Sequence, residues 1–134
     1  MNHYKVVAAV IERNGEILCV QKGENRFNYL SYKYEFPGGK IEPGEREEDA
    51  LLREIMEELD LHIIIGHKIA VVNHQYPDFM VTLTAYLCLS ANRELKLTEH
   101  INASWLPKEQ LKTLSWVGAD QPVVERLQQY LMGE

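Results

Sequence analysis

Glu54, Glu57 and Glu58 stand at spacings i, i+3 and i+4, so on a helix their carboxylates are neighbours within an arc of about 100°. Like charges held this close cost a helix a few tenths of a kcal/mol per pair. Arg53 can pair with Glu57 from one flank, and no other base sits among them. A cation from outside turns the repulsion into affinity. Hard divalent ions such as Mg²⁺ take carboxylate oxygens together with substrate phosphates. A solvated acidic helix face has the same pattern, so the residues upstream matter. Phe36-Pro37-Gly38-Gly39-Lys40 ends a strand with two glycines, which let backbone approach a ligand closely. Glu42 and Glu45 then lead into the helix.

Charge is concentrated in the same place. Between Glu42 and Glu58 there are eight acids against two bases, Arg46 and Arg53, and this segment accounts for the whole formal charge of −6. A neutral body with one acidic hotspot does not suit a nucleic-acid polymer or a membrane surface, both of which call for excess positive charge. The 134 residues suit one domain spanning 1–134, long enough to fold without a disulfide or metal staple. Cys19 and Cys88 lie in separate apolar runs and are expected to be buried thiols. No apolar stretch reaches membrane-spanning length and the N-terminus lacks a signal-peptide layout, so cytoplasmic residence is expected.

The elements that must position the acids are legible from pattern. Tyr4 to Glu12 and Glu16 to Lys22 read as strands joined by Asn14-Gly15, a type I′ hairpin signal. Gly23 to Lys33 reads as a loop, and Tyr34-Glu35-Phe36 as a short strand broken by Pro37-Gly38-Gly39. Arg46 to Leu59 reads as a helix with Leu52, Ile55, Met56 and Leu59 as its buried stripe, opposite the three glutamates. Leu61–Ile65, Lys68–His74 and Met80–Leu89 are β-like, the last with Val81, Leu83, Ala85, Leu87 and Leu89 on one face. Ser104-Trp105-Leu106 suits a last strand. A helix of about Pro122 to Met132 carries Val123, Val124, Leu127, Tyr130 and Leu131 on its apolar side. The expected class is α/β (α+β), a mixed sheet sandwiched between helices.

The stretch Gly39-x5-Glu45-x7-Arg53-Glu54-Ile55-x-Glu57-Glu58-x-Asp60-Leu61 resembles the 23-residue signature box of the Nudix hydrolases at every position but one. The family has glycine where this chain has Asp60, a position after the helix where a left-handed cap is common and which Asp tolerates. Glu35-Phe36-Pro37-Gly38-Gly39-Lys40, Val7 to Ile11, Lys22, Glu99 with Trp105-Leu106, and Ala119-Asp120-x-Pro122 are similar to the MutT-like branch. Leu114-Ser115-Trp116 with Ala119-Asp120 is similar to its (d)CTP pyrophosphatase members.

The resemblance implies a Nudix fold and Mg²⁺-dependent hydrolysis, with Mn²⁺ as a substitute, of a nucleoside triphosphate to monophosphate and pyrophosphate. The substrate would be (d)CTP-like or 8-oxo-dGTP, in nucleotide-pool sanitising. It implies Gly38, Glu54, Glu57 and Glu58 as metal ligands, Arg53 as the residue orienting the glutamates, and Glu45 as loop brace or outer ligand. Glu54 and Glu99 both remain open as general base. Lys22, Glu35, Phe36, Pro37, Gly38, Gly39 and Asp120 are implied around the substrate, Lys22 being also readable as an exposed strand end. Asp120 precedes Gln121-Pro122 and is readable as a helix cap. As an ionised base reader it accepts only, which favours an exocyclic amine such as cytosine's. Phe79, Tyr76 and Tyr29 are candidate stacking partners. Other readings are a Nudix hydrolase of another nucleoside diphosphate-X (nucleotide sugar, ADP-ribose, dinucleoside polyphosphate) or a non-catalytic nucleotide-binding module, which would be expected to lack the box carboxylates. The protein is expected to be a monomer or weak homodimer acting on a small nucleotide.

Overall fold

In the computed structural model, residues 1–133 are described, with side chains through Gln129. Tyr130 and Leu131, expected on the apolar side of the last helix, lie outside the described side chains. In chain order the elements are β1 (Asn2–Arg13), β2 (Glu16–Gln21), β3 (Tyr34–Glu35), β4 (Gly38–Lys40), α1 (Glu47–Leu59), β5 (Ile63–Gln75), β6 (Phe79–Ser90), β7 (Asn102–Pro107) and α2 (Gln121–Gly133). Two short 3₁₀ turns, Lys108–Thr113 and Gly118–Asp120, join β7 to α2.

β1 runs parallel to β6 from Asn2↔Phe79 to Glu12↔Leu89. Its other edge is shared. At one end it turns into β2 through Asn14 and Gly15, both at positive φ as a type I′ turn requires. Further back it pairs with β4, Val6 opposite Lys40 and Ala8 opposite Gly38. β1 and β2 therefore part after two register pairs, and Phe36 to Lys40 fills the opening, with the Ala9 amide donating to the Pro37 carbonyl at 2.8 Å. The two glycines expected as a break are instead a strand.

Alternation along β1 sorts the core onto two faces. Val7, Ala9 and Ile11 pack with Leu51, Ile55 and Leu59 of α1, whereas Ala8 and Val10 pack with Val123, Val124 and Leu127 of α2. The result is a mixed sheet between helices. β6 is central and buried on both faces, so Tyr86 and Cys88 are as covered as Val81, Leu83 and Ala85, while Leu89 at its end is exposed. The two β-like stretches after α1 are one strand, with register irregularities between Ile65 and Ala70.

α1 departs from the expected stripe. Leu52 is exposed and Met56 only half-buried; the face on the sheet is Leu51, Ile55, Glu58 and Leu59, itself a correct i, i+4, i+7, i+8 set. The expected stripe treated Glu58 as a solvent residue, yet Glu58 is 4% exposed. Asp60 closes the helix at φ 52°, ψ 45°, with its amide donating to the Met56 carbonyl at 3.0 Å, the left-handed cap expected at this position.

Candidate active site

The insertion of Phe36 to Lys40 between β1 and β2 brings that backbone against α1. A Cβ on Gly38 would strike the Val7 carbonyl, and one on Gly39 would strike the Glu54 carboxyl group. Close approach, not turning, is what these glycines supply. The Gly38 amide donates to Glu58 Oε1 at 3.2 Å.

Arg53 organises the acids on the outer side. Its guanidinium grips Glu45 with two hydrogen bonds of 2.8 and 2.9 Å, and also reaches Glu54 at 2.9 Å, Glu57 at 3.3 Å and the Lys40 carbonyl at 3.1 Å. A fork of fixed geometry suits this multiple engagement. The expected pairing from one flank with Glu57 is thus only part of what Arg53 does. Its bonds hold the Glu45 carboxyl down to about 2. Glu45 in turn accepts the Glu42 amide and braces the loop.

Glu58 points elsewhere, towards Gly38 and the loop before β7. Burial, and then the charges of Glu35, Glu99 and Glu54, push its carboxyl up to about 9. Glu54 is also raised, chiefly by burial, against the lowering effect of Arg53. Glu99, distant in sequence, thus acts electrostatically on both helix acids. It is carried there by Thr98, whose hydroxyl donates to the carbonyls of Glu57 and Glu58 at 3.0 and 3.2 Å. Among the described residues, no three His, Cys, Asp or Glu side chains converge as a ready-made chelate. Glu54 and Glu57 are held by Arg53 and Glu58 by Gly38. The donor set nonetheless fits a hard divalent ion: all oxygen, with a carboxylate that burial and like charge keep from ionising without a counter-cation.

A cleft of 620 Å³ joins Glu35, Glu58 and Glu99 to an apolar wall. Gly38, Gly39, Glu35, Glu58, Glu99 and Lys22 line one part of it; Phe36, Leu83, Tyr76, Phe79, Ala119 and Asp120 line another. Lys22 pairs with Glu35 at 3.4 Å. Pro37 is fully buried behind the cleft, and Arg53, Glu54 and Glu57 are not among its lining residues. Tyr29 is not among them either; it stacks on Tyr76 and donates to Asp78 at 2.9 Å. Phe27, which lines the cleft and contacts Phe79, was not singled out from sequence.

Asp120 does not cap α2. It is 5% exposed and its Oδ2 accepts the Phe36 amide at 2.7 Å, across 84 residues. Burial and then the charge of Glu35 push its carboxyl up to about 8. Tyr76 steadies the same segment by accepting the Ala119 amide at 2.9 Å.

His100 is the functional-site candidate that pattern reading missed. Its Nε2 lies 2.9 Å from Glu35 Oε2 and 3.8 Å from Glu58 Oε2. The only local signal was its place next to Glu99.

The NUDIX domain model matches residues 1–127. The chain belongs to the Nudix hydrolases. It is 32% identical to a CTP pyrophosphohydrolase of Escherichia coli strain K12 over 93% of this chain and 91% of that protein. It is 29% identical to an 8-oxo-dGTP diphosphatase of the same strain, over 90% and 92% of the two chains. A MutT protein from Methanosarcina mazei Go1 superposes with a TM-score of 0.86 at 25% identity, covering 97% of this chain and 96% of that one. Nudix hydrolases are generally dependent on divalent metals. Among the described residues no helix of this member is long and apolar enough to cross a membrane.

Proposed function

We propose that this Nudix hydrolase, a single domain over residues 1–134, is a Mg²⁺-dependent pyrophosphohydrolase in nucleotide-pool sanitising. It converts a nucleoside triphosphate to the monophosphate and pyrophosphate in the cytoplasm, as a monomer or weak homodimer. The observation that carries this reading is that one cleft joins an acidic cluster to an apolar wall containing a buried carboxyl. Phosphates and a base thus have adjoining surfaces of opposite character.

Glu54, Glu57 and Glu58, with the Gly38 carbonyl, hold the metal, and Arg53 keeps Glu54 and Glu57 aligned. Bound there, a divalent ion neutralises phosphate charge and lowers the pKa of a coordinated water. Glu54 or Glu99 takes the proton of the attacking water. Glu54's raised carboxyl brings it nearer the pH at which a general base works best. Lys22 contacts a phosphate from the cleft wall.

The base lies against Phe79 and Tyr76, with its edge at Asp120. Asp120 was expected to be ionised and to accept only. A carboxyl titrating at about 8 is largely protonated at neutral pH, so it both donates and accepts. It then suits a carbonyl-bearing edge as well as an amine, and a cytosine or an oxidised guanine nucleotide both meet it. Similarity to the CTP pyrophosphohydrolase favours cytosine. The test is pyrophosphate release from ordinary and oxidised nucleoside triphosphates, with and without Mg²⁺. Turnover confined to nucleoside diphosphates bearing other groups, or undiminished in EDTA, refutes the proposal.

A further inference from the structure

His100 has 3% of its side chain exposed and makes its polar contacts through one nitrogen. Nε2 faces two carboxylate oxygens, Glu35 Oε2 at 2.9 Å and Glu58 Oε2 at 3.8 Å. Only the first is at hydrogen-bond distance, and a carboxylate such as Glu35 accepts, so Nε2 is assigned as the nitrogen carrying the proton. Nδ1 is buried without a hydrogen-bond partner. An orphaned buried nitrogen costs stability, so an apolar residue of similar volume would serve the core better. What the imidazole does supply is a donor between two acids that line the cleft.

The segment carrying it is pinned on both sides. Thr98 donates through its amide and hydroxyl to carbonyls at the end of α1, and the Ile101 amide donates to the Gln21 carbonyl at 3.0 Å on β2. Held this way, the imidazole has little freedom to follow a carboxylate that moves. The acids must conform to it. Glu58 is bounded on its other oxygen by the Gly38 amide, while Lys22 reaches the same Glu35 oxygen as His100, Oε2, at 3.4 Å.

We propose that His100 is a positioning residue: its Nε2–H holds the Glu35 carboxyl group and the imidazole sits against the far oxygen of Glu58, so that Glu58 is presented to the metal in one orientation. This rests on the reading of Glu58 as a metal ligand. Residues that orient a ligand through its free side typically change metal affinity or activity by roughly 10- to 100-fold when lost.

Reach is the discriminating property. A glutamine amide nitrogen extends to about where Nε2 lies, whereas an asparagine nitrogen extends only to the position of Nδ1. His100→Gln and His100→Asn are compared for thermal midpoint, kcat, KM for the triphosphate, and binding of Mn²⁺ alone followed by the electron-spin resonance of the free ion. The expected result is a Gln variant within a few-fold of wild type. The Asn variant, with an unchanged midpoint, loses roughly 10- to 100-fold in kcat and Mn²⁺ affinity at similar KM. His100→Leu, which fills the space without a donor, should match Asn and replaces it if the Asn variant does not fold. Gln and the donor-poor variants behaving alike, whether all active, all impaired or all unstable, overturns the proposal. Should wild type hydrolyse no triphosphate while Mn²⁺ binding still separates Gln from Asn, the substrate reading fails and the role of His100 stands.

Discussion

Replacing Glu58 by glutamine should make the metal-free protein more stable while abolishing its turnover. The carboxyl is buried among Glu35, Glu99 and Glu54 and titrates at about 9, against 4.5 when unconstrained. Its folded pKa is raised, so between those two values the folded state binds the extra proton and stability falls as pH rises. From pH 4.5 to pH 7 the unfolded state gains roughly 3 kcal/mol over the folded one, at 1.36 kcal/mol per pH unit. That figure at pH 7 holds for any folded value above neutrality. Glutamine does not titrate and keeps an oxygen to accept the Gly38 amide, so Glu58→Gln should be about 3 kcal/mol more stable at pH 7 and within about 1 kcal/mol of wild type at pH 5. Urea denaturation in EDTA at the two pH values measures both gaps, and pyrophosphate release should fall by orders of magnitude. A variant less stable than wild type at pH 7, or a gap unchanged at pH 5, refutes the reasoning.

Two further outcomes follow from individual residues. Asp120 loses its proton on passing pH 8, so the kcat/KM ratio of (d)CTP to 8-oxo-dGTP should rise in wild type between pH 7 and pH 9 and stay flat in Asp120→Asn. A flat wild-type ratio, or an equal rise in the variant, removes Asp120 from base reading. Asp60→Gly relieves a non-glycine residue at φ 52° and ψ 45°, and should raise the urea-derived stability by roughly 1 kcal/mol with turnover unchanged; the exposed contact to Lys96 at 4.0 Å that it removes contributes little. A drop in stability would show that the left-handed cap is not the strained feature.

How far these features are legible in sequence depends on how far apart their partners lie. The Asn14-Gly15 hairpin, the Asp60 cap and the span of α1 follow from neighbours within a few residues, and local spacing determines them. Glu58 shows where that stops. Periodicity places a residue around its own helix axis but not against the sheet, and an acid at a core-facing position reads as solvent until the insertion of Gly38 beneath it is known. Arg53 pairing with Glu57 is legible as an i, i+4 contact on one helix, but its grip on Glu45 and the Lys40 carbonyl depends on the loop folding back. Asp120 meeting Phe36, and His100 meeting Glu35, span 84 and 65 residues and exist only because β1 and β2 part. Nothing in local pattern encodes that opening, and so residue pattern alone reads Asp120 as a cap, while only the family resemblance places it at the substrate.

The most direct measurement is calorimetric titration of Mg²⁺ into the protein with a nonhydrolysable nucleoside triphosphate, repeated at pH 7 in buffers of different ionisation enthalpy. Mg²⁺ should bind with release of a proton as Glu58 ionises to become a ligand, and Glu58→Gln should show neither the uptake nor the proton. Uptake without proton release contradicts the assignment of Glu58, and no uptake at all contradicts a metal-bridged triphosphate in this cleft.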